Sequence, residues 1–577
     1  MTMGGGATMR MMAKLLAGGA LALVAAGAFA AEKPADMILL NGQVRTPGGW
    51  AEALAIRDGV IVAVGDAKAA EAWRGEGSKV VDLQGAAVLP GLHDMHVHVQ
   101  SAGLEQYSCG FAYGAKPAAI AARVKECAAK AAPGAWIIGG NWVAAVFAKG
   151  QQNRAFLDKV APNNPVFLSD ESHHSGWANS KALELAGITR DTRDPEGGVI
   201  DRDAKGNPTG VLREAGTFAV QKVIPAPTEA LNRKALALAT RQMLSYGITS
   251  FTDAWLDPQN LRTLSDLSGE GIVKQRVRGC IFWAPDDKDS ERLIAARAFY
   301  AKPRFKPDCV KFMLDGVPTE SHTAAMLHPY QGIAADDPKA KGILMVPQPA
   351  LDEAVARFDR MGLHMKFHAA GDGAVRAAID AVEHARKVNG WGGSSHELAH
   401  DSFVDRADIP RARALNLTWE FSPYIWYPTP IADVDVRKAV GDERMKRFTP
   451  IADAMATGAN IIAGSDWSVV PSVNPWLAIE TMVTRQSPGG SANSVGPDEK
   501  VTLDQALRMF TENAAAAMGD RDLVGSIEPG MHADIVVTEK NPFKVPVTEI
   551  HDTKVRMTFI DGELVYDAAN PPPLTAE

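Results

Sequence analysis

The sequence predicts an α/β protein: a closed (β/α)8 barrel of TIM type, a small β-sandwich built from both chain ends, and an insertion over the barrel mouth. Three observations carry this reading. In the middle of the 577-residue chain, helical stretches alternate with short apolar strands, and a long run of βα units implies a parallel sheet that closes on itself. The two ends share another texture, alternating apolar and polar positions broken by two-residue turns. Between about residues 100 and 240, Gly and Pro punctuation interrupts the βα rhythm.

In chain order, residues 1–30 read as a cleaved secretory signal. Arg10 and Lys14 precede the apolar run "LLAGGALALVAAGAFA", which ends in small residues at Ala28 and Ala30. The run is short for a membrane span, and no later stretch is apolar enough for one. The expected product is exported, periplasmic or secreted, after cleavage near Ala30. Residues 31–88 supply the N-terminal part of the sandwich, where Asn41-Gly42 and Asp58-Gly59 carry hairpin chemistry. Residues 89–514 form the barrel, with helix and strand pairs such as "LNRKALALATRQMLSYG" before "ITSFTDA" and "IADAMATG" before "ANIIAGSD". Residues 515–577 return to sandwich texture, with Asp561-Gly562 as another turn.

Composition narrows the function. With 46% hydrophobic and 22% charged residues the chain is globular, and a net charge of -8 argues against nucleic acid or anionic membrane as partner. Four cysteines occur without the short paired spacing of a metal knuckle. Cys109 and Cys127 are the one pair near in sequence, and an export signal permits a disulfide there without requiring it.

Chemistry concentrates first in "GLHDMHVHV", residues 91–99. Residues two apart on a strand share a face, so His96 and His98 can aim at one divalent cation such as zinc, while His93 lies at the odd phase and packs. Alone, His-x-His is weak evidence. A barrel, however, places chemistry at its C-terminal strand ends, and His368, His400 and Asp466 close the strands "LHMKFH", "SHELAH" and "NIIAGSD". Lys311 sits inside the apolar strand "CVKFMLDG". By position alone it is a snorkelling or paired lysine; the other reading is a desolvated amine that adds carbon dioxide and becomes an anionic carbamate ligand. Asp372 reads as the N-cap of the helix "GAVRAAIDAVEHA".

"PGLHDMHVHV", "VKFMLDG", "FHAAGDGAV", "ELAH" and "AGSDW", in this order, resemble the amidohydrolase superfamily of metal-dependent barrels. With "WIIGGNW", "HSGWANSKALELAGI", "PTGVLREA" and "GSIEPGMHADIVV" the chain is similar to amidohydrolase family 3, the branch that includes N-substituted formamide deformylase, over about residues 35–570. The resemblance implies that His96 and His98 hold the more buried metal, and that a carbamylated Lys311 bridges to a second held by His368 and His400. It also implies that Asp466 ligates the first metal and shuttles the proton. Without the carbamate, one ion is the expected count. Two positions depart from the family: Ser172 and His173 precede His174 where Asp-Gly is common, and His322 stands where an arginine is common.

The implied reaction is hydrolysis of a non-peptide carbon-nitrogen bond in an amide, formamide or cyclic amide by a metal-activated hydroxide, with no organic cofactor. Trp142, His174, Trp177, Glu214 and His322 are candidate substrate contacts, each with packing or ion pairing as its plain alternative. A dipeptidase or N-acyl amino acid hydrolase on the same centre is the rival enzyme. It requires a cation for the substrate carboxylate, for which Arg213 and Lys366 are candidates. A binding protein on a dead barrel is disfavoured because the full ligand set is present. The expected partner is a small amide, with no nucleic acid and no membrane anchor; a barrel with a flanking sandwich also invites homo-oligomerisation.

Overall fold

The computed structural model describes residues 33–576 except 113, 196 and 320. The signal expected over residues 1–30 lies outside them. No described helix is long and apolar enough to cross a membrane.

Eight parallel strands form the centre: β1 Leu92–Val97, β2 Ile248–Leu256, β3 Arg276–Trp283, β4 Phe305–Met313, β5 His364–Ala369, β6 Glu397–His400, β7 Thr418–Phe421 and β8 Ile461–Ala463. Each pairs with the next in sequence. The ring closes where the chain beyond β8 meets β1, with Asp466 N–H donating to His96 O at 2.7 Å and His98 N–H to Trp467 O at 2.6 Å. Gly464 makes this seam possible, because a Cβ there would lie 2.4 Å from the His96 Cβ. Helices α1 Glu229–Ser245, α2 Pro258–Gly269, α3 Lys288–Tyr300, α4 Gln348–Arg360, α5 Asp372–Asn389, α6 Ile409–Ala414, α7 Ile451–Ala456 and α8 Pro475–Thr484 follow strands β1 to β8 in turn.

Strand alternation separates two chemistries. On β5, Met365 and Phe367 belong to the apolar layer under the helices, whereas His364, Lys366 and His368 occupy the opposite face and are also buried. On β1 the same rule sends Val97 into the apolar layer and leaves His96 among polar partners. His93 follows the outward phase, donating its backbone N–H to Phe510 O, and is buried.

Two satellite sheets pack about a common core that includes Leu39, Leu54, Val88, Ile535 and Phe559. One has four strands, all from residues 37–82; the other has six, interleaving residues 43–51 and 87–90 with 535–567. Asp58-Gly59 and Asp561-Gly562 each turn with both φ positive, as type I′ hairpins require. Asn41-Gly42 differs: it carries the chain from Met37–Leu40 in one sheet to Gln43–Thr46 in the other, so it is a crossing and not a hairpin.

Between β1 and α1 the chain forms a mixed six-stranded sheet spanning Cys109 to Glu214. Cys109–Cys127 is a disulfide within this insertion, and Cys280–Cys309 is a second. The second pair was not legible from its sequence spacing of 29; β3 and β4 bring the two residues side by side.

Candidate metal centre

Six side chains from the ends of β1, β4, β5 and β6 and from the β8 seam converge at the C-terminal mouth of the barrel. His98 Nε2 lies 3.2 Å from the Asp466 carboxylate and His96 Nε2 lies 3.6 Å from it. Lys311 Nζ stands 3.2 Å from His96 Nε2. The His400 ring is 4.7 Å from that of His96 and 4.5 Å from that of His368, centroid to centroid. His400 and Asp466 have φ of 79° and 60°. Left-handed backbone at non-glycine residues is strained, and here it turns both side chains into the site.

The imidazoles of His96, His368 and His400 are each held from behind by a second residue. Glu420 on β7 accepts from His96 Nδ1 at 2.9 Å. Asp315 lies 3.1 Å from His368 Nδ1, and its carboxylate also accepts backbone N–H groups of Ala325, Ala370 and Gly371. Ser422 Oγ meets His400 Nδ1 at 3.0 Å. A carboxylate behind a histidine fixes its tautomer and leaves Nε2 to the cavity. None of these three partners was singled out in the sequence. Glu420 could have been: an acid in the apolar strand "LTWEFSP" is as anomalous as Lys311 in its own.

Burial, more than any partner, sets the charges. It holds His96, His368 and His400 well below the usual imidazole range, so they are neutral donors suited to a cation. Burial and then the charge of Lys366 lower the Lys311 amine to about 8. Burial pushes Asp315 up to about 7, against the backbone donors that favour its ionised form. His174 goes the other way: burial lowers it, but Glu214 at 2.7 Å outweighs that and lifts it to about 9.

The donor set fits a divalent cation. One ligand atom each of His96, His98 and Asp466 lies within 4.8 Å of the others, and neutral imidazole with carboxylate is a zinc-type combination. His368 and His400 extend the set.

The candidate substrate contacts divide. His174 lines the cavity over the centre, with its ring 5.3 Å from His368. Trp142 and Trp177 do not reach it: they pack edge to face at 6.5 Å in the insertion core, fully buried, and Trp142 Nε1 donates to Leu168 O. This corrects the expectation for both, and the cause is sheet phase, which turns them towards the apolar core. Glu214 stands behind His174 and accepts from Thr323 Oγ1 at 2.5 Å, so it is a supporting residue. His322 stacks on Tyr330 at 4.6 Å and does not line the cavity. Arg213 is paired with Asp201 at 3.0 Å, and Lys366 is sealed below the centre between Glu397 and Glu420. Asp372 is the first residue of α5 and not its cap; its carboxylate accepts the Leu327 N–H at 2.8 Å.

Fold and site together define a βα barrel whose mouth gathers histidines, a buried lysine and an aspartate into a candidate divalent-cation site. Residues 79–566 match the model of the Amidohydrolase family, and the chain belongs to that family. It is 28% identical over 556 residues to Protein LONG AFTER FAR-RED 3 of Arabidopsis thaliana, covering 92% of each chain. It is 27% identical over 555 residues to N-substituted formamide deformylase of Arthrobacter pascens, covering 92% of this chain and 98% of that one. In fold it is similar to an uncharacterized metal-dependent hydrolase from Pyrococcus horikoshii OT3, at TM-score 0.70 and 23% identity over 89% of this chain and 99% of that one.

Proposed function

We propose that the protein is a metal-dependent hydrolase that cleaves a carbon-nitrogen bond other than a peptide bond in a small amide, formamide or cyclic amide. One observation carries the reading: His96, His98, Lys311, His368, His400 and Asp466 meet at one barrel mouth. Similarity to the formamide deformylase adds support.

His96, His98 and Asp466 would hold a first cation, zinc by the donor set, and His368 and His400 a second. A bound divalent cation polarises the substrate carbonyl and lowers the pKa of water towards neutrality. The chain's own groups do the rest. The Asp466 carboxylate takes the proton of the attacking water and returns it to the leaving nitrogen. His174, whose Nδ1 is held by Glu214, offers Nε2 to the substrate carbonyl oxygen. The lowered pKa of Lys311 favours the neutral amine, which adds carbon dioxide to give a carbamate and a released proton; that anion would bridge the two cations. Export to an oxidising compartment is part of the proposal, supported by the two disulfides.

Chelation tests the function. Turnover of an amide and formamide panel should fall to background after metal removal and return with zinc or manganese. Protein that binds neither ion refutes the proposal. About two ions per chain, with a carbamate carbon signal after labelling with 13C-bicarbonate, supports bridging by Lys311, and about one without that signal argues against it.

A further inference from the structure

Lys311 owes its inward aim to an irregularity in β4. The pairing of β3 with β4 runs from Arg278 and Lys306 to Cys280 and Cys309, so that Gly279 alone stands opposite Pro307 and Asp308. The extra residue is a β-bulge, and it reverses the alternation of the strand. Phe305 belongs to the apolar layer with Val310 and Phe312, although it lies an even number of residues before Lys311 and would share its face in a regular strand. Gly279 leaves room for the reversal, since a Cβ there would lie 2.4 Å from Leu256 Cδ1 and 2.9 Å from Phe305 Cε2.

Cys280 and Cys309 are the first pair beyond the bulge, and Phe282 with Lys311 is the next pair on the same face. The two cysteines are buried and joined as a disulfide. β5 pairs with β4 from Cys309 onward, so the bulge lies outside that ladder. A strand that takes up its spare residue slips by one place and turns every later side chain to the other face. Here a force favours the slip: Lys311 and Lys366 are register partners on β4 and β5, both buried, and like charges side by side are destabilising. That force lasts until Lys311 becomes an anion. A covalent bond between β3 and β4, placed between the bulge and the lysine, forbids the movement.

We infer that the Cys280–Cys309 disulfide is a positioning bond for the candidate centre: it locks β4 beyond its bulge, keeps Lys311 facing the ligands, and makes assembly of a two-cation centre depend on oxidation. This rests on the reading of Lys311 as a carbamate bridge. In the maturing step a small disulfide such as glutathione disulfide takes two electrons and two protons from the two thiols, leaving the protein disulfide and two molecules of the small thiol. A chain held reduced would fold its barrel without completing the centre.

The test compares the full chain with Cys280→Ala/Cys309→Ala, each supplied with zinc and 13C-bicarbonate. The variant should keep the native far-ultraviolet circular dichroism, lose the carbamate carbon signal, and bind its second zinc about 10- to 100-fold more weakly. Unmutated chain refolded in dithiothreitol should match the variant, and chain refolded with glutathione disulfide should not. In a Lys311→Ala background, removing the bridge should cost no further zinc affinity, because both changes act through one side chain. Cys109→Ala/Cys127→Ala, in the insertion, should lower the melting temperature and leave carbamate and zinc as they were. A folded Cys280→Ala/Cys309→Ala chain with its carbamate and second zinc intact overturns the inference and leaves the hydrolase reading standing. So does failure to fold by both this pair and the better-filled Cys280→Val/Cys309→Ala, because the bridge would then hold the whole barrel and not the lysine. Unmutated protein that binds zinc without a carbamate signal overturns the carbamate bridge and this inference together; protein that binds neither zinc nor manganese overturns the hydrolase reading as well.

Discussion

The inner surface of the barrel and the core of the insertion are buried to the same degree and filled with opposite chemistry. His96, Lys311, Lys366, Glu397 and Glu420 line the first, each at 0–1% exposure; Ile120, Leu157, Trp142 and Trp177 fill the second within the same limits. Sequestering charge is costly unless each group is paired, whereas sequestering tryptophan is favourable without help. The insertion core is therefore explained by folding alone. The barrel interior is not, since hydrophobic residues of similar volume would fill it at no loss of stability. Its chain of polar contacts, from His364 through Glu397, Lys366 and Glu420 to His96, ends at the candidate cation site and points to a role there.

The strongest way to break that contrast is Glu420→Gln. The side chain keeps its shape and loses the charge that fixes His96 Nδ1, so zinc affinity measured against a competing chelator should weaken by about 10- to 100-fold. A substitution that only disturbed packing would lower the melting temperature and leave zinc affinity where it was. Unchanged affinity would make the buried charges mere filling.

A smaller effect is expected at the border, where the apolar wall meets the cavity. Ile425 is half-buried and lines it. Ile425→Ser removes apolar area from the cavity wall, which should lower kcat/KM for amides with a phenyl substituent by about fivefold while leaving zinc content unchanged. An equal loss for N-formylethanolamine would show that the residue supports the centre and not the substrate.

These regions were not equally legible in the sequence. His96, His98 and His368 are legible because strand period and barrel geometry fix which residues reach the mouth. His400 and Asp466 are legible only as residues near strand ends: alternation alone turns His400 outward with Leu398, Asp466 lies beyond β8, and the left-handed φ that brings each one in is invisible in a sequence. Glu420 and Asp315 are not legible because their roles depend on which strands lie side by side in the ring: Asp315 follows β4, the neighbour of β5, and Glu420 is on β7, one strand away from β1. Trp142 and Trp177 were misread because large aromatics near a mouth serve a pocket wall and a core equally well, and only sheet phase separates them. The apolar wall, carried by an irregular segment, has no periodicity to read. The eightfold βα order was the most legible feature, since every unit repeats the same signal.

The insertion itself should show the smallest functional effect. Trp177 sits within 6.5 Å of the rings of Trp142, Phe147 and Phe156, centroid to centroid, and away from the cavity. Trp177→Phe leaves a void in that cluster and should cost about 1–3 kcal/mol of stability by denaturant titration. Neither zinc affinity nor the order of turnover across the amide panel should move, because the residue touches neither the ligands nor the wall. Its β-strand neighbours do reach the site: Ser175–Ala178 follows directly on His174, and pairs with the strand that ends at Glu214. A change in kcat with stability intact would therefore show that the insertion core sets the pose of His174, and that the boundary between filling and function lies deeper in this sheet than burial alone suggests.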